Sequence, residues 1–108
     1  MLEPFMITDK LRFTILPVTK TLELGTTRKV LCKAQGNPLP VVRWMKETEP
    51  MMNWPEHIED VNGTLLFNGV RHEDEGKYTC VATNSQGLIS ATVYINVTST
   101  RHTPLILC

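Results

Sequence analysis

The feature of this chain that most constrains its fold is a pair of cysteines, Cys32 and Cys80, with Trp44 between them. Each of the three lies in a short run in which apolar and polar residues alternate, which is the pattern of a strand with one buried face. Val42 shares the phase of Trp44, and Tyr78 shares the phase of Cys80. The alternation therefore predicts that all five side chains point into one core.

Short alternating segments recur along the chain, and turn-forming residues separate them. Gly, Pro and Asn occur at 36–40, at Asn62-Gly63 and at 84–87, where they predict turns. Residues 47–55 show no period and are predicted to form a loop. The predicted strands are 11–18, which Pro17 divides into two edge segments, 21–24, 28–35, 41–46, 58–61, 64–67, 77–83 and 88–97. Short strands at this spacing predict an all-β sandwich.

The Cys…Trp…Cys spacing, with Tyr78 two residues before the second cysteine, resembles the intermediate (I) set of the immunoglobulin superfamily over residues 11–98. The resemblance implies an immunoglobulin-like β-sandwich, in which two antiparallel sheets are connected with Greek-key topology. In the lettering of that fold, the predicted strands 28–35, 41–46, 58–61, 64–67, 77–83 and 88–97 are strands B, C, D, E, F and G. It also implies that a disulfide links Cys32 to Cys80 across the sheets and that Trp44 packs against it.

A second part of the resemblance concerns the corner that precedes strand F. The Tyr78 hydroxyl is expected to bond back to the backbone near Asp74, as tyrosine corners do. I-set domains often pair the aspartate of this corner with an arginine near the start of strand D, where this chain has His57 instead. Whether Asp74 has a charged partner stays open. Leu65, in the inward phase of strand E, completes the predicted structural core.

A narrower resemblance runs from Trp54-Pro55-Glu56 through Asn62-Gly63-Thr64-Leu65-Leu66-Phe67 into the Tyr78 motif. This stretch is similar to the membrane-proximal domains of receptor tyrosine pseudokinases of the colon-carcinoma-kinase/off-track family. I-set domains of other adhesion receptors share most of these residues. The narrower resemblance implies a receptor with adjacent immunoglobulin domains, acting in cell adhesion, axon guidance or Wnt and polarity signalling.

Charge and cysteine content bear on the surroundings of the domain. Eleven basic and eleven acidic residues cancel, so neither nucleic acid nor an anionic membrane surface is predicted as a partner. Direct membrane insertion is not predicted, because the apolar run Leu105-Ile106-Leu107 is far shorter than the ~20 residues of a spanning helix. Two cysteines at sandwich spacing favour an oxidising compartment, and Cys108 is left over. Residues 1–10 are predicted to be an N-terminal tail and residues 99–108 a C-terminal linker or tail. We interpret the chain as a piece of a longer secreted or membrane-anchored protein.

No catalytic, cofactor-binding or metal-binding residues are predicted. His57, His72 and His102 lie in predicted loops or tails without a catalytic motif around them, so we interpret them as surface residues. Three roles then compete: an extracellular recognition and adhesion module, a structural spacer in a cytosolic muscle-type giant protein, and a secreted matrix or decoy protein. Two N-glycosylation sequons, at Asn62 and Asn96, favour an extracellular role.

The outward phase of strands C, F and G predicts where a partner binds. A contiguous group of exposed apolar side chains on a small domain is typical of an interaction surface, which here suits a protein ligand or a homophilic contact. Trp54 and one methionine have an alternative position, folded back to cap the open edge of strand C. The predicted interface consists of Met45, Met51, Met52, Trp54, Val81, Leu88 and Tyr94.

Overall fold

The structure, a computed structural model, describes residues 10–47 and 53–99 of the chain. Within these ranges the chain forms nine strands, which confirms the predicted all-β class. A single turn of 3-10 helix, His72–Asp74, precedes the eighth strand. The strands are β1 (Arg12–Ile15), β2 (Lys20–Glu23), β3 (Thr27–Leu31), β4 (Lys33–Gln35), β5 (Val41–Lys46), β6 (Ile58–Val61), β7 (Thr64–Asn68), β8 (Gly76–Asn84) and β9 (Gly87–Thr98).

Two layers make up the sandwich. One sheet has the strand order β2-β9-β8-β5, and the other has the order β3-β7-β6. β4 follows β3 closely along the chain and pairs with β1 instead of β7. Among the described strands, every pair is antiparallel except β2 with β9, which is parallel. The sheets expected from the sequence were antiparallel throughout, so this one pair differs from the expectation.

Two of the predicted strands are divided in the structure. The segment 11–18 breaks around Pro17 as predicted, so that β1 pairs with β4 while β2 joins the other sheet. The predicted strand 28–35 also breaks, at Cys32, which was not expected. β3 pairs with β7 only as far as Leu31, which lies opposite the first residue of β7, Thr64. β4 takes β1 as its partner because no part of β7 extends beyond that point.

The hydrophobic core lies between the inner faces of the two sheets. A disulfide joins Cys32 to Cys80, with Cα atoms 6.6 Å apart and both residues fully buried. Trp44 lies directly opposite Cys80 in the β5–β8 pair and is also buried. Removal of apolar surface from water is the main stabilising contribution to such a core. The other buried hydrophobic residues are Leu22, Val30, Val42, Ile58, Leu65, Phe67, Val70, Tyr78, Ala82, Val93 and Ile95.

The turn between β6 and β7 is built into this core. Asn62 and Gly63 both have positive φ angles, 53° and 90°, which is the backbone of a two-residue type I′ hairpin. Gly63 is buried, and a Cβ atom at this position would lie 2.2 Å from the Cys32 carbonyl oxygen and 2.8 Å from a Val42 methyl group. Glycine is therefore required here both for the backbone angle and for the close approach.

Candidate functional site

The outer face of β5, β8 and β9 displays four of the residues predicted to form the interface. Met45 lies opposite Thr79 on β8, and Val81 lies opposite Arg43 on β5. Their inward-pointing neighbours in sequence belong to the core, so alternation turns these side chains away from it. Leu88 and Tyr94 are on the same face of β9 and are both exposed.

The strand register shows how these residues are arranged. Val81 is diagonal to Met45 across β5 and β8, and diagonal to Leu88 across β8 and β9. Diagonal neighbours in a sheet lie within reach of long side chains. Val41 was not included in the predicted interface, yet it is 53% exposed and is diagonal to Val81 as well. Tyr94 lies farther along, opposite Lys77.

Trp54 takes the alternative position considered from the sequence. Its ring stacks on Tyr78, with centroids 6.2 Å apart and planes 9° from parallel, and it packs against the core cluster. Trp54 therefore covers Tyr78, and it also lines a depression of about 390 Å³ together with Val41, Arg43 and Met45 of β5. Met51 and Met52 lie outside the described residues.

His57 is the residue whose position was predicted wrongly. It was interpreted as a surface histidine, but its side chain is only 5% exposed and its Nε2 atom lies 2.9 Å from both carboxylate oxygens of Asp74. Because a carboxylate only accepts hydrogen bonds, Nε2 carries the hydrogen and donates it. Asp74 also accepts a hydrogen bond from the backbone N–H of Arg71 at 2.8 Å. His57 is thus the hydrogen-bonding partner of Asp74, at the place where I-set domains often have an arginine.

Tyr78 connects the buried His57–Asp74 pair to the ring of Trp54. Its hydroxyl donates a hydrogen bond to the backbone carbonyl of Asp74, as the tyrosine-corner resemblance implies. Burial raises the pKa of the Tyr78 phenol, and the Asp74 carboxylate raises it further. Lys46 lies over the ring, 5.5 Å from its centroid, and donates a hydrogen bond to the Glu73 carbonyl. These contacts connect the corner between β7 and β8 to the end of β5.

Asp60 binds the edge of β5, which is the outermost strand of its sheet. One carboxylate oxygen accepts a hydrogen bond from the backbone N–H of Trp44 at 2.7 Å, and the other accepts from the N–H of Gly63 at 3.2 Å. The carbonyl of Gly63 in turn accepts from the Trp44 indole and from the N–H of Cys32. Satisfying edge donors in this way protects a sheet from unwanted strand pairing.

The two sequons occupy different surroundings. Asn62 is exposed at the tip of the β6–β7 hairpin, and the hydroxyl of Thr64 accepts a hydrogen bond from Lys33. Asn96 is half-buried on β9, opposite Thr21 of β2. The exposed turn residue is therefore the more accessible of the two asparagines.

The described residues give no sign of a metal site or a membrane span. No group of three His, Cys, Asp or Glu side chains among them is arranged to hold a metal ion. Within the same ranges, no helix is long and apolar enough to cross a membrane. A cleft of about 240 Å³ beside Trp54 and Tyr78 is bordered by Lys46 and Asp74. Its walls belong to the corner cluster already described.

Comparison with known proteins places these features in a family. The family model described as the Immunoglobulin I-set domain matches residues 11–97. A curated relative, the Tyrosine-protein kinase-like otk of Drosophila mojavensis, is 50% identical over 91 residues, which are 84% of this chain and 9% of that protein. The chain thus spans less than a tenth of the length of this relative.

Solved structures show the same relationship. The structure of Drosophila OTK, extracellular domains 3-5, is 52% identical with a TM-score of 0.74, covering 82% of this chain and 30% of that one. Tandem Ig repeats of Dlar are 33% identical with a TM-score of 0.75, covering 84% of this chain and 49% of that one. Both the sequence and the fold are therefore similar to immunoglobulin domains of receptor-type proteins.

Proposed function

Because the chain belongs to the immunoglobulin I-set domains, we propose that it is an extracellular recognition and adhesion module of a larger cell-surface receptor. It binds a protein partner, either a ligand or a second immunoglobulin domain, through the outer face of β5, β8 and β9. The function is binding and involves no catalytic step.

The observation that carries this proposal is the group of apolar side chains on that outer face. Val41, Met45 and Leu88 are each diagonal to Val81, and none of the four belongs to the buried core. Protein interfaces combine such an apolar centre with a polar rim. Here Arg43 lies opposite Val81 and between Val41 and Met45, within the apolar group, and threonines and a serine on β8 and β9 lie beside it. Methionine adapts its shape to a partner, which suits a recognition surface.

Three further observations support an extracellular location. The Cys32–Cys80 disulfide is a bond that persists in oxidising compartments. Asn62 lies exposed in a glycosylation sequon. The chain is also 50% identical to the Drosophila mojavensis relative over 91 residues, and the solved extracellular domains of Drosophila OTK have the same fold. A cytosolic spacer of the muscle type and a secreted matrix or decoy protein share this fold, and the experiments below distinguish the spacer from the receptor module.

Binding is tested with the chain secreted from a glycosylating host and fused to a dimeric tag. The tagged chain is applied to cultured cells and to beads that carry the same chain. We expect a Met45→Ser/Val81→Ser/Leu88→Ser variant to lose binding to its target while keeping its thermal midpoint within a few degrees. Leu39→Ser is the matched control, because Leu39 is an exposed apolar residue in the turn before β5. Equal binding by the triple variant would contradict the proposed face.

Glycosylation tests the location independently of the binding face. We expect the secreted chain to lose mass on treatment with an N-glycosidase, and the Asn62→Gln variant to lose most of that shift. Asn96→Gln should have the smaller effect because Asn96 is half-buried. A secreted chain without any glycan would count against the extracellular reading, even if it bound to cells.

A further inference from the structure

The depression of about 390 Å³ beside Trp54 follows the edge of β5. β5 is the outermost strand of the sheet β2-β9-β8-β5, so among the described strands of that sheet only β8 pairs with it. The depression is also lined by Asn62, the asparagine of the first glycosylation sequon. A sugar attached to Asn62 therefore begins at the rim of this depression.

The side chain of Asn62 is available for attachment. The residue is exposed at the tip of the β6–β7 hairpin, and its backbone carbonyl accepts a hydrogen bond from Lys33 at 3.4 Å. Within the described ranges, its side-chain amide makes no hydrogen bond. N-glycosylation joins the first sugar to this amide nitrogen. Attachment therefore breaks no contact of the described fold.

The edge of β5 offers backbone groups for hydrogen bonding. The N–H of Trp44 points away from β8, because it donates to the Asp60 carboxylate at 2.7 Å. In an antiparallel pair, every second residue turns both its N–H and its C=O away from the partner strand. The carbonyl of Trp44 and the N–H and carbonyl of Val42 therefore point to the same edge, and both residues line the depression.

The depression combines these polar groups with an aromatic wall. Trp54 is half-buried, so part of its indole stays accessible beside the stack on Tyr78. The face of an aromatic ring is electronegative and attracts the weakly positive C–H groups of a sugar ring. N-acetylglucosamine, the first sugar of an N-linked glycan, has C–H groups on its ring faces, and hydroxyl groups and an acetamide around the ring. Its chemistry matches both parts of the depression.

We propose that the first sugar of the Asn62 glycan packs into this depression, against Trp54 and the edge of β5. Its acetamide and hydroxyl groups bond to the free backbone groups of Val42 and Trp44. The glycan is then a structural part of the domain, and it closes the edge of β5 to strand pairing. The inference rests on the extracellular location proposed above, because glycosylation takes place during secretion, but it does not depend on the binding face.

The sugar also limits the proposed binding face on one side. Val41, Arg43 and Met45 line the depression and belong to the outer face of β5, whereas Val81 and Leu88 do not line it. The sugar therefore borders the β5 side of the outer face, and a protein partner approaches from the side of β9.

An extended peptide is a less suitable occupant of this edge. A peptide that adds a strand to a sheet pairs with backbone groups along the whole edge. Here the central donor, the N–H of Trp44, is already bonded to Asp60, which accepts from Gly63 as well. A peptide would have to displace this carboxylate from its donors, at the cost of two hydrogen bonds. A sugar uses only the remaining edge groups and is held covalently at the rim.

Nuclear magnetic resonance of the secreted chain tests the contact directly. The chain is produced with high-mannose glycans and carries Asn96→Gln, so that Asn62 is its only remaining sequon. An endoglycosidase then trims the glycan to a single N-acetylglucosamine. We expect nuclear Overhauser effects between the protons of this sugar, including its acetamide methyl group, and the indole protons of Trp54.

Thermal unfolding shows whether the contact stabilises the fold. The trimmed chain is compared with the same sequence refolded from a bacterial host, which keeps Asn62 but has no sugar. We expect the sugar to raise the thermal midpoint by about 4 °C. In a Trp54→Leu background, which lacks the aromatic wall, the rise should fall by at least about half. Tyr94→Leu is the matched control, because Tyr94 is an exposed aromatic residue that does not line the depression.

Two outcomes would overturn the proposal. An attached sugar without Overhauser effects to Trp54, or one that stabilises the Trp54→Leu background as much as the wild type, would show that the glycan points into solvent. The proposed function would be unaffected by that result. A secreted chain without a glycan at Asn62 would remove the inference and also the support that this sequon gives to an extracellular location. If Trp54→Leu does not fold, the Overhauser measurement on the wild-type residue decides alone.

Discussion

On the inner face of β5 and β8, Val42, Trp44 and Cys80 are buried, whereas on the outer face of the same two strands Val41 is more than half exposed and Val81 is only half-buried. Both faces come from one alternating sequence. The inner residues are held by the disulfide and by the hydrogen bonds of Trp44 to Gly63 and Asp60. No comparable bond holds the apolar side chains of the outer face among the described residues.

If the outer face binds a partner as proposed, this difference separates stability from recognition on the same strands. A one-residue slip of β5 would exchange its two faces, so the inner contacts also determine which residues the outer face presents. Substitutions on the inner side should therefore change the free energy of unfolding, and substitutions on the outer side should change binding alone. Four substitutions, in order of decreasing expected effect, test this division.

The largest effect is expected for Gly63→Ala. The new methyl group would collide with the Cys32 carbonyl and Val42, and the backbone would have to keep a φ of 90°. We expect a loss of about 4 kcal/mol of unfolding free energy, measured by chemical denaturation. Gly69→Ala is the matched control, with a φ of 93° but no atom within 4 Å of the added Cβ, and should cost only about 1 kcal/mol. Equal losses would show that the close approach is unimportant.

His57→Ala tests the buried pair at the corner before β8. Removing the imidazole leaves the Asp74 carboxylate buried with its backbone donor only, so we expect a loss of about 2 to 3 kcal/mol in the same assay. His72→Ala is the control, because His72 is exposed in the same corner and should change stability by less than about 0.5 kcal/mol. If both variants behave alike, His57 does not support the corner.

Tyr78→Phe tests the corner through its pH dependence. Because the pKa of Tyr78 is raised in the folded state, the unfolded chain loses this proton at a lower pH than the folded chain. Stability should therefore fall as the pH rises above about 10, where the unfolded phenol ionises. The variant should lose about 1 kcal/mol at neutral pH with its hydrogen bond to Asp74, and the alkaline decline should become shallower. Tyr94→Phe, on the outer face, is the control for the decline.

The smallest effect on stability is expected for Val81→Thr on the outer face. Threonine has nearly the shape of valine and places its hydroxyl in a half-exposed position, so the unfolding free energy should change by less than about 0.5 kcal/mol. Cell binding by the tagged chain should weaken nonetheless. A loss of several kcal/mol would show that Val81 belongs to the core and would remove the division between the two faces.

Much of the fold is readable from the sequence because strand alternation is a local property. The inward phases of Cys32, Trp44 and Tyr78 agree with the structure, and the Asn62-Gly63 pair indicated its hairpin directly. His57 could not be placed in the same way, because it lies in an aperiodic segment and its partner is 17 residues away. The signal that could have located it was its position near the start of strand D, where I-set domains often have an arginine.

The residues of the candidate interface show the same difference between what strand alternation predicts and what depends on tertiary contacts. Met45, Val81, Leu88 and Tyr94 were assigned to one face from their phase, and the structure places them there. Trp54 was ambiguous from the sequence because loop residues have no phase, and only its stacking on Tyr78 resolved its position. Val41 was missed because its closeness to Val81 depends on the register between β5 and β8.

The sequence by itself determined the strand phases, the hairpin turn and the residues of the tyrosine corner, because each depends on residues close together in the chain. Only the tertiary structure decided that β3 and β4 take different partners, that Asp60 binds the edge of β5, and that His57 pairs with Asp74. Each of these depends on which strands become neighbours. Neighbours are set by the packing of the whole sandwich, since no local pattern specifies contacts between distant parts of a chain.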